Sequence, residues 1–288
     1  MQEVKKGLVV KIISDRYTVL INGVEYLAKA RGKLRLSGNI VVGDIVDIQV
    51  EKPFSNISKV HPRKNLLLRP FVANIDMVII VIAKEPAPDL LLVDKIIVDS
   101  RFKDITPVIC YNKSDMATSQ EIAQLLEIYK EVDSIITSAI TAEGAKALKE
   151  KIANNIVCFA GQSATGKSSI LNMLLGLNLK TGELSEKLRR GKHTTRHVEL
   201  FRAFDGMIVD TCGFSKLDLV GIHPEDLKNY YDDFFEFSNE CKYTSCLHIA
   251  EPDCAVKRAV ELGSIDKDRY LRYINIYNEL SNARTNHV

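Results

Sequence analysis

The run Gly161-Gln162-Ser163-Ala164-Thr165-Gly166-Lys167-Ser168 constrains this chain more than any other feature. It fits the phosphate-loop pattern G-x-x-x-x-G-K-[ST] in full. The apolar segment Ile156 to Ala160 before it reads as a strand, and a helix begins at about Gly166. That is the context the pattern needs. Consecutive backbone N–H groups of such a loop curl around a β-phosphate, and the new helix adds donors at its N-terminus. Gly161 and Gly166 permit close backbone approach, Lys167 reaches the β- and γ-phosphates as a point charge, and the Ser168 hydroxyl ligates Mg²⁺. Ser169 extends this nucleotide-binding run. A chance glycine-rich turn is the competing reading, and strand–loop–helix context argues against it.

The surroundings of the loop predict an α/β layered domain with a mostly parallel sheet. Ile75 to Ala83 is nearly continuous apolar, as in a strand covered on both faces. Helix candidates at about 90–102, 119–130 and 143–154 alternate with strands at 105–111, 134–138 and 156–160. Strands near 197–204 and 207–210 close the segment. Earlier, residues 1–60 turn often. Gly7 to Ile13, Tyr17 to Ile21, Val24 to Ala28 and Ile45 to Val50 read as short strands, with Asn22-Gly23 as a hairpin turn. A small barrel follows, the five-stranded oligonucleotide-binding barrel being the first candidate among small all-β domains. Residues 61–70, with two prolines, read as a linker. From His223 aromatic residues cluster, and helices are expected at about 255–262 and 266–281, the second with an apolar stripe through Tyr270, Ile274 and Tyr277, thickened by Leu271 and Tyr273.

Hydrophobic residues at 46% and charged residues at 26% exclude global disorder and a rod-like fold. The net charge of +2 makes no case for nucleic acid over the whole chain. The first 64 residues, however, hold 12 Lys/Arg against 6 Asp/Glu, so positive field concentrates there and in a short run near 187–197. No secretory signal or membrane span is expected, and the cysteines fit a reducing cytoplasm.

Asn112-Lys113-Ser114-Asp115 follows an apolar strand. A carboxylate there accepts from N1–H and N2–H₂ of guanine, a donor pair that adenine lacks. Asn112 can tie the loop together and the Lys113 stem can cover the base. Thr137-Ser138-Ala139 ends the next strand and supplies a second base-contact loop, through Ser138 and Ala139. Asp210-Thr211-Cys212-Gly213 follows the strand 207–209. Asp210 can hold Mg²⁺ through water and Gly213 can sense a γ-phosphate. Between these lies Gly191-Lys192-His193-Thr194-Thr195-Arg196. A threonine here can complete the Mg²⁺ shell, Thr195 being favoured over Thr194. Phe214 stands where a water-orienting glutamine is usual, so hydrolysis by the isolated protein should be slow. His193 is one candidate for the missing group, alongside a backbone or RNA group.

Cys241, Cys246, His248 and Cys254 fall within 14 residues, a donor set suited to tetrahedral Zn²⁺ in a structural site. Cys110, Cys158 and Cys212 stand alone in or beside apolar segments.

The base-reading loops precede the phosphate loop, an order that a circular permutation produces. The succession NKSD, TSA, GQSATGKS, GKHTTR, DTCGF and a cysteine/histidine cluster resembles the ribosome small-subunit-dependent GTPase A family of circularly permuted bacterial GTPases. The resemblance covers essentially the whole chain. It implies an oligonucleotide-binding barrel over 1–63, a permuted α/β GTPase domain over 64–222 and a mainly helical zinc-binding domain over 223–288. It further implies GTP hydrolysis stimulated by the 30S subunit during its late maturation, with 16S rRNA as partner, Zn²⁺ and Mg²⁺ as cofactors, and a cytoplasmic monomer. This sequence has Ala164-Thr165 where the family more often has Gly-Val. A noncatalytic GTP-responsive RNA-binding module is the alternative. A nucleotide kinase is disfavoured by the guanine-reading loops.

Overall fold

In the computed structural model, residues 3–32, 34, 40–176, 198–209 and 217–285 are described. Strands β1 (Val4–Ile13), β2 (Arg16–Ile21), β3 (Val24–Ala30), β4 (Ile45–Gln49) and β5 (Ser55–Val60) close into a barrel in the order β1-β2-β3-β5-β4. Asn22 and Gly23 both take positive φ, at 49° and 82°, which matches the turn to the twist of β2 and β3. Val9, Val19, Ala28, Val46, Ile48 and Ile57 fill the interior. β5 eluded sequence reading because its buried start is polar: Ser55 and Asn56 precede Ile57, and the Asn56 amide is satisfied by Glu51.

Residues 61–70 are not a linker. β6 (Leu66–Leu68) pairs antiparallel with β7 (Phe71–Ala73), with Arg69 and Pro70 in the turn. Proline suggested a break, but one proline is enough for a hairpin turn, and Leu67 and Val72 anchor the pair in the core.

The central sheet has the order β10-β9-β8-β11-β13-β12, with β8 (Met77–Ile82), β9 (Thr106–Tyr111), β10 (Ser134–Ile136), β11 (Ile156–Ala160), β12 (Leu200–Ala203) and β13 (Gly206–Val209). All neighbours are parallel except the β12–β13 hairpin. Alternation along β8 shows why the run is continuously apolar. Val78, Ile80 and Ile82 face α1 (Leu90–Phe102) and α2 (Ser119–Glu127), whereas Met77, Ile79 and Val81 face α3 (Ala145–Ile152) and α4 (Lys167–Leu175). The carboxyl ends of β8, β9 and β11 lie side by side, so the loops after them share one edge of the sheet.

The barrel is packed onto this sheet. Val10 and Val42 join the core beneath α1, and the buried Asp44 carboxylate accepts from Arg63 Nε at 2.6 Å and Nη2 at 2.9 Å. The C-terminal part consists of a 3₁₀ segment (Pro224–Tyr230), α5 (Asp232–Ser238), α6 (Ala255–Glu261) and α7 (Lys267–Thr285). Its core of Tyr231, Phe234, Tyr273 and Ile276 also takes in Val98 of α1. The stripe on α7 runs through Tyr270, Tyr273, Ile276 and Leu280, with Ile274 and Tyr277 partly buried against the same core, and the expectation fails at Leu271, which is exposed. Spacings of three, three and four keep those four on one helical face. Among the described residues no helix is long and apolar enough to cross a membrane.

Candidate functional site

The phosphate loop leaves β11 and enters α4. Gly161 and Gly166 have φ of 124° and 96°, a region that penalises any side chain. Space is equally restrictive. A Cβ on Gly161 would lie 2.3 Å from the Val81 carbonyl oxygen, and one on Gly166 would lie 2.2 Å from Asn112 Nδ2. Ala164 also takes positive φ, at 65°. An alanine there costs about 1 kcal/mol relative to glycine, which accounts physically for a preference for glycine at this position. Ile170 N–H donates to Gly166 O at 2.9 Å and closes the first turn of α4, so the preceding N–H groups point out of the helix end.

Lys167 Nζ donates to the carbonyls of Gly161 (2.8 Å) and Gln162 (2.6 Å). Burial pulls its pKa below the ordinary lysine value, a cost that an anion beside it reverses. The Thr165 hydroxyl donates to Gln162 O at 3.0 Å and braces the loop from inside. Ser168 and Ser169 lie in the first turn of α4, and Ser163 is exposed at the loop edge.

Direct hydrogen bonds join the segments expected to read the base to this loop. Asn112, buried, donates from Nδ2 to Thr165 O at 2.9 Å, and Lys113 Nζ donates to Ala164 O at 3.0 Å and Glu85 O at 2.6 Å. Ser114 N–H donates to Thr137 O at 3.1 Å. The Ser138 hydroxyl donates to Asp115 Oδ1 at 2.5 Å while accepting from the N–H groups of Ile140 and Thr141. Asp115 is exposed within a 3₁₀ turn (Ser114–Met116), with Ala139 half-buried nearby. The sequence-predicted nucleotide residues from 112–115, 138–139 and 161–169 thus come together.

Two supporting residues escaped sequence reading: Glu143, which accepts from the Ser114 hydroxyl, and Asp89, at the N-cap of α1, whose N–H donates to Gln162 Oε1 at 3.1 Å. Thr137, read only as the first residue of Thr-Ser-Ala, donates from Oγ1 to Asn112 Oδ1 at 3.3 Å. His193, Thr195, Asp210 and Gly213, with Thr194 and Phe214, lie outside the described residues.

The cysteine/histidine cluster forms a second site. The ligand atoms of Cys241, Cys246, His248 and Cys254 all lie within 4.8 Å of one another. His248 Nδ1 is 3.4 Å from Cys254 Sγ and 3.7 Å from Cys241 Sγ, and the latter two sulfurs are 3.9 Å apart. Zinc–ligand bonds of about 2.0–2.3 Å in a tetrahedron separate the ligands by roughly 3.5–3.8 Å, so these residues fit such an ion. Burial pushes the Cys246 thiol up to about 12, an opposition to thiolate that a central dication removes. Burial, then the Lys228 ammonium, pushes His248 down to about 4, which leaves its lone pair available. Ser238 Oγ sits 3.4 Å from His248 Nε2 and orients the ring. Glu251 accepts from the N–H groups of Leu247 and Ile249 and so fixes the backbone on both sides of His248.

Comparison with known proteins agrees with this architecture. Residues 60–220 match the family model of the RsgA GTPase, and residues 6–54 match that of the RsgA N-terminal domain. The small ribosomal subunit biogenesis GTPase RsgA of Caldanaerobacter subterraneus is 43% identical, over 96% of this chain and 95% of that protein. Its Clostridium acetobutylicum counterpart is 40% identical, over 97% and 99%. The crystal structure of YjeQ from Thermotoga maritima superposes with a TM-score of 0.84 at 35% identity, covering 96% of this chain and 99% of that one. The structure of YloQ, a circularly permuted GTPase, does so with 0.79 at 30% identity, covering 98% and 96%. Barrel, permuted nucleotide fold and cysteine/histidine cluster occur here in one chain that matches these proteins nearly end to end, and the chain belongs to the RsgA GTPase family.

Proposed function

We propose that the protein binds the small ribosomal subunit in the cytoplasm late in its maturation, hydrolyses GTP when stimulated by that subunit, and departs with GDP. The observation that carries the nucleotide half is the bonded union of 112–115, 137–139 and 161–168 at one sheet edge. The subunit half is supported by the names of full-length relatives and by the surplus of positive charge in residues 1–64, which suits 16S rRNA phosphates. Lys167 and the N–H groups of the loop hold the phosphates, and Ser168, Thr195 and Asp210 hold Mg²⁺, which neutralises phosphate charge when bound. Zn²⁺ in the Cys₃His cluster is structural, since four protein ligands leave no open position. His193 is the candidate to orient water, and Gly213 to sense the γ-phosphate. A monomer suffices for every one of these roles.

Turnover with and without purified 30S subunits, run beside ATP, tests the reading. GTP-specific stimulation of at least tenfold is expected. GTP and 30S binding without stimulated single-turnover hydrolysis would favour the noncatalytic alternative.

Base selection has its own test. Asp115→Asn keeps the acceptor for Ser138 but presents an amide N–H₂ where guanine also presents donors. Two charge-assisted bonds are lost, about 3–4 kcal/mol, so GTP affinity should fall roughly 10²–10³-fold. Xanthosine triphosphate, with a carbonyl at C2, should gain affinity. Fluorescent-nucleotide titration reads both, and unchanged GTP binding would remove Asp115 from the base site.

A further inference from the structure

Among the described residues β12 has β13 as its one neighbour within the central sheet, and a bridge ties its start to the barrel. An antiparallel bridge pairs Lys11 of β1 with Glu199, at the foot of β12. Lys11 Nζ lies 2.9 Å from Glu199 Oε1 and 2.8 Å from Oε2, so one ammonium holds both carboxylate oxygens. The pair is half-buried. Beneath it Val10 and Leu200 share a core, with Leu8, Ile12 and Val198 packed against them. The β2–β3 turn leans on the same strand: a Cβ on Gly23 would lie 2.9 Å from Arg202 Nη1.

This edge hairpin occupies a particular place in the sequence. Chain order puts His193 and Thr195 six and four residues before Glu199, and Asp210 directly after Val209. Register pairs Leu200 with Val209. Both segments assigned to hydrolysis therefore join the sheet at the same end of one hairpin. The barrel, which carries the positive charge surplus, grips that hairpin at Glu199.

We propose that the Lys11–Glu199 pair is a positioning contact that carries subunit engagement from the barrel to the segments at 191–197 and 210–213. The proposal rests on the reading of the protein as a subunit-stimulated GTPase. RNA phosphates that draw the barrel into a bound pose act on β12 through the ion pair and the backbone bridge. The pair holds the β12–β13 hairpin, to which chain order attaches both segments.

The test uses the full-length chain with Lys11→Ala, Glu199→Ala and the charge-swapped double variant Lys11→Glu/Glu199→Lys. Unstimulated turnover, GTP affinity and 30S co-sedimentation should stay within about twofold of the unaltered protein in the Glu199→Ala variant. The maximal 30S-stimulated rate should fall at least tenfold in both single variants and recover at least partly in the swap. An unchanged plateau with a higher subunit concentration for half-maximal stimulation in Lys11→Ala would mean that Lys11 only meets RNA, and would overturn the proposal. So would full stimulation of both single variants, or a swap no better than either. If the unaltered protein shows no stimulation, the ribosome-coupled reading itself fails and the positioning role fails with it.

Discussion

Cys254→Ser should abolish metal binding by the C-terminal cluster and, with it, most of the fold of that part. The sulfur is buried, lies 3.4 Å from His248 Nδ1 and 3.9 Å from Cys241 Sγ, and immediately precedes α6. Structural zinc in small domains is worth about 10–16 kcal/mol at neutral pH, more than the total stability of most single domains. Outside the cluster, the loop between Cys241 and Cys254 is held by bonds of its backbone to the Glu251, Lys228, Tyr270 and Tyr273 side chains, not by regular secondary structure. It contains only brief turns, and His248 and Asp253 stand at positive φ, 61° and 56°. The expected readouts are one zinc per chain in the unaltered protein and near zero in the variant. Near-UV circular dichroism should also fall, because Tyr231, Tyr270 and Tyr273 pack beside the cluster and Tyr270 Oη donates to His248 O at 2.8 Å. Lys242→Ala, at an exposed position in the same loop, should keep both signals. Retention of a full zinc equivalent by Cys254→Ser would show that Cys254 is not a ligand.

Asp94→Ala should cost about 3–5 kcal/mol of stability, by stranding buried charge. Asp94 lies on α1, and its side chain is fully shielded from solvent. Arg269 Nη1 donates to Oδ1 at 3.1 Å, and Arg272 Nε donates to Oδ2. Arg269 is itself buried, gripped on its other side by Asp233 and stacked over the rings of Tyr129 at 4.7 Å and Tyr231 at 5.2 Å. Burial pushes the Asp94 carboxyl up, and the Arg269 and Arg272 guanidiniums pull against it. The two arginines stay charged, so loss of the carboxylate leaves them facing a dry pocket. Urea denaturation should show the full loss for Asp94→Ala. Asp94→Ala combined with Arg272→Met should cost less than the sum of the single changes, as expected for groups in one network. A loss below about 1 kcal/mol for Asp94→Ala would mean that water enters the cluster. The same contact matters for the nucleotide fold. α1 is capped by Asp89, whose N–H meets Gln162 of the phosphate loop, and holds α7 about one turn further on through Asp94.

Much of the candidate nucleotide site was legible because each part is encoded over a few contiguous residues. Gly161 to Ser168 specifies a strand–loop–helix turn by glycine placement and a lysine, and 112–115 and 137–139 each close a strand end. The fold class was legible for a related reason: continuous apolar runs at β8 and β11 require two covered faces, and the helices between them supply the cover. Less legible were elements whose burial is polar or brief. β5 hides behind Ser55 and Asn56, and the β6–β7 hairpin behind two prolines. On α7, Leu271 invited a place in the stripe by its side chain alone, and the phase of the helix turned it outward.

By itself the sequence determined the groups available: a phosphate-loop motif, a carboxylate in the Asn-Lys-Ser-Asp run, four soft or borderline donors for a metal, and the permuted order of the loops. Those properties follow from residue type and short spacing, which local backbone geometry converts into position. Tertiary structure decided what holds the chemistry in place. Asn112 meets Thr165 across 53 residues, Asp94 meets Arg269 across 175, and Lys11 meets Glu199 across 188. No local pattern records such pairs. Their partners are brought together by parallel crossovers and domain packing, and burial among those elements gives each bond its weight, since a polar group removed from water depends on the one partner the fold provides.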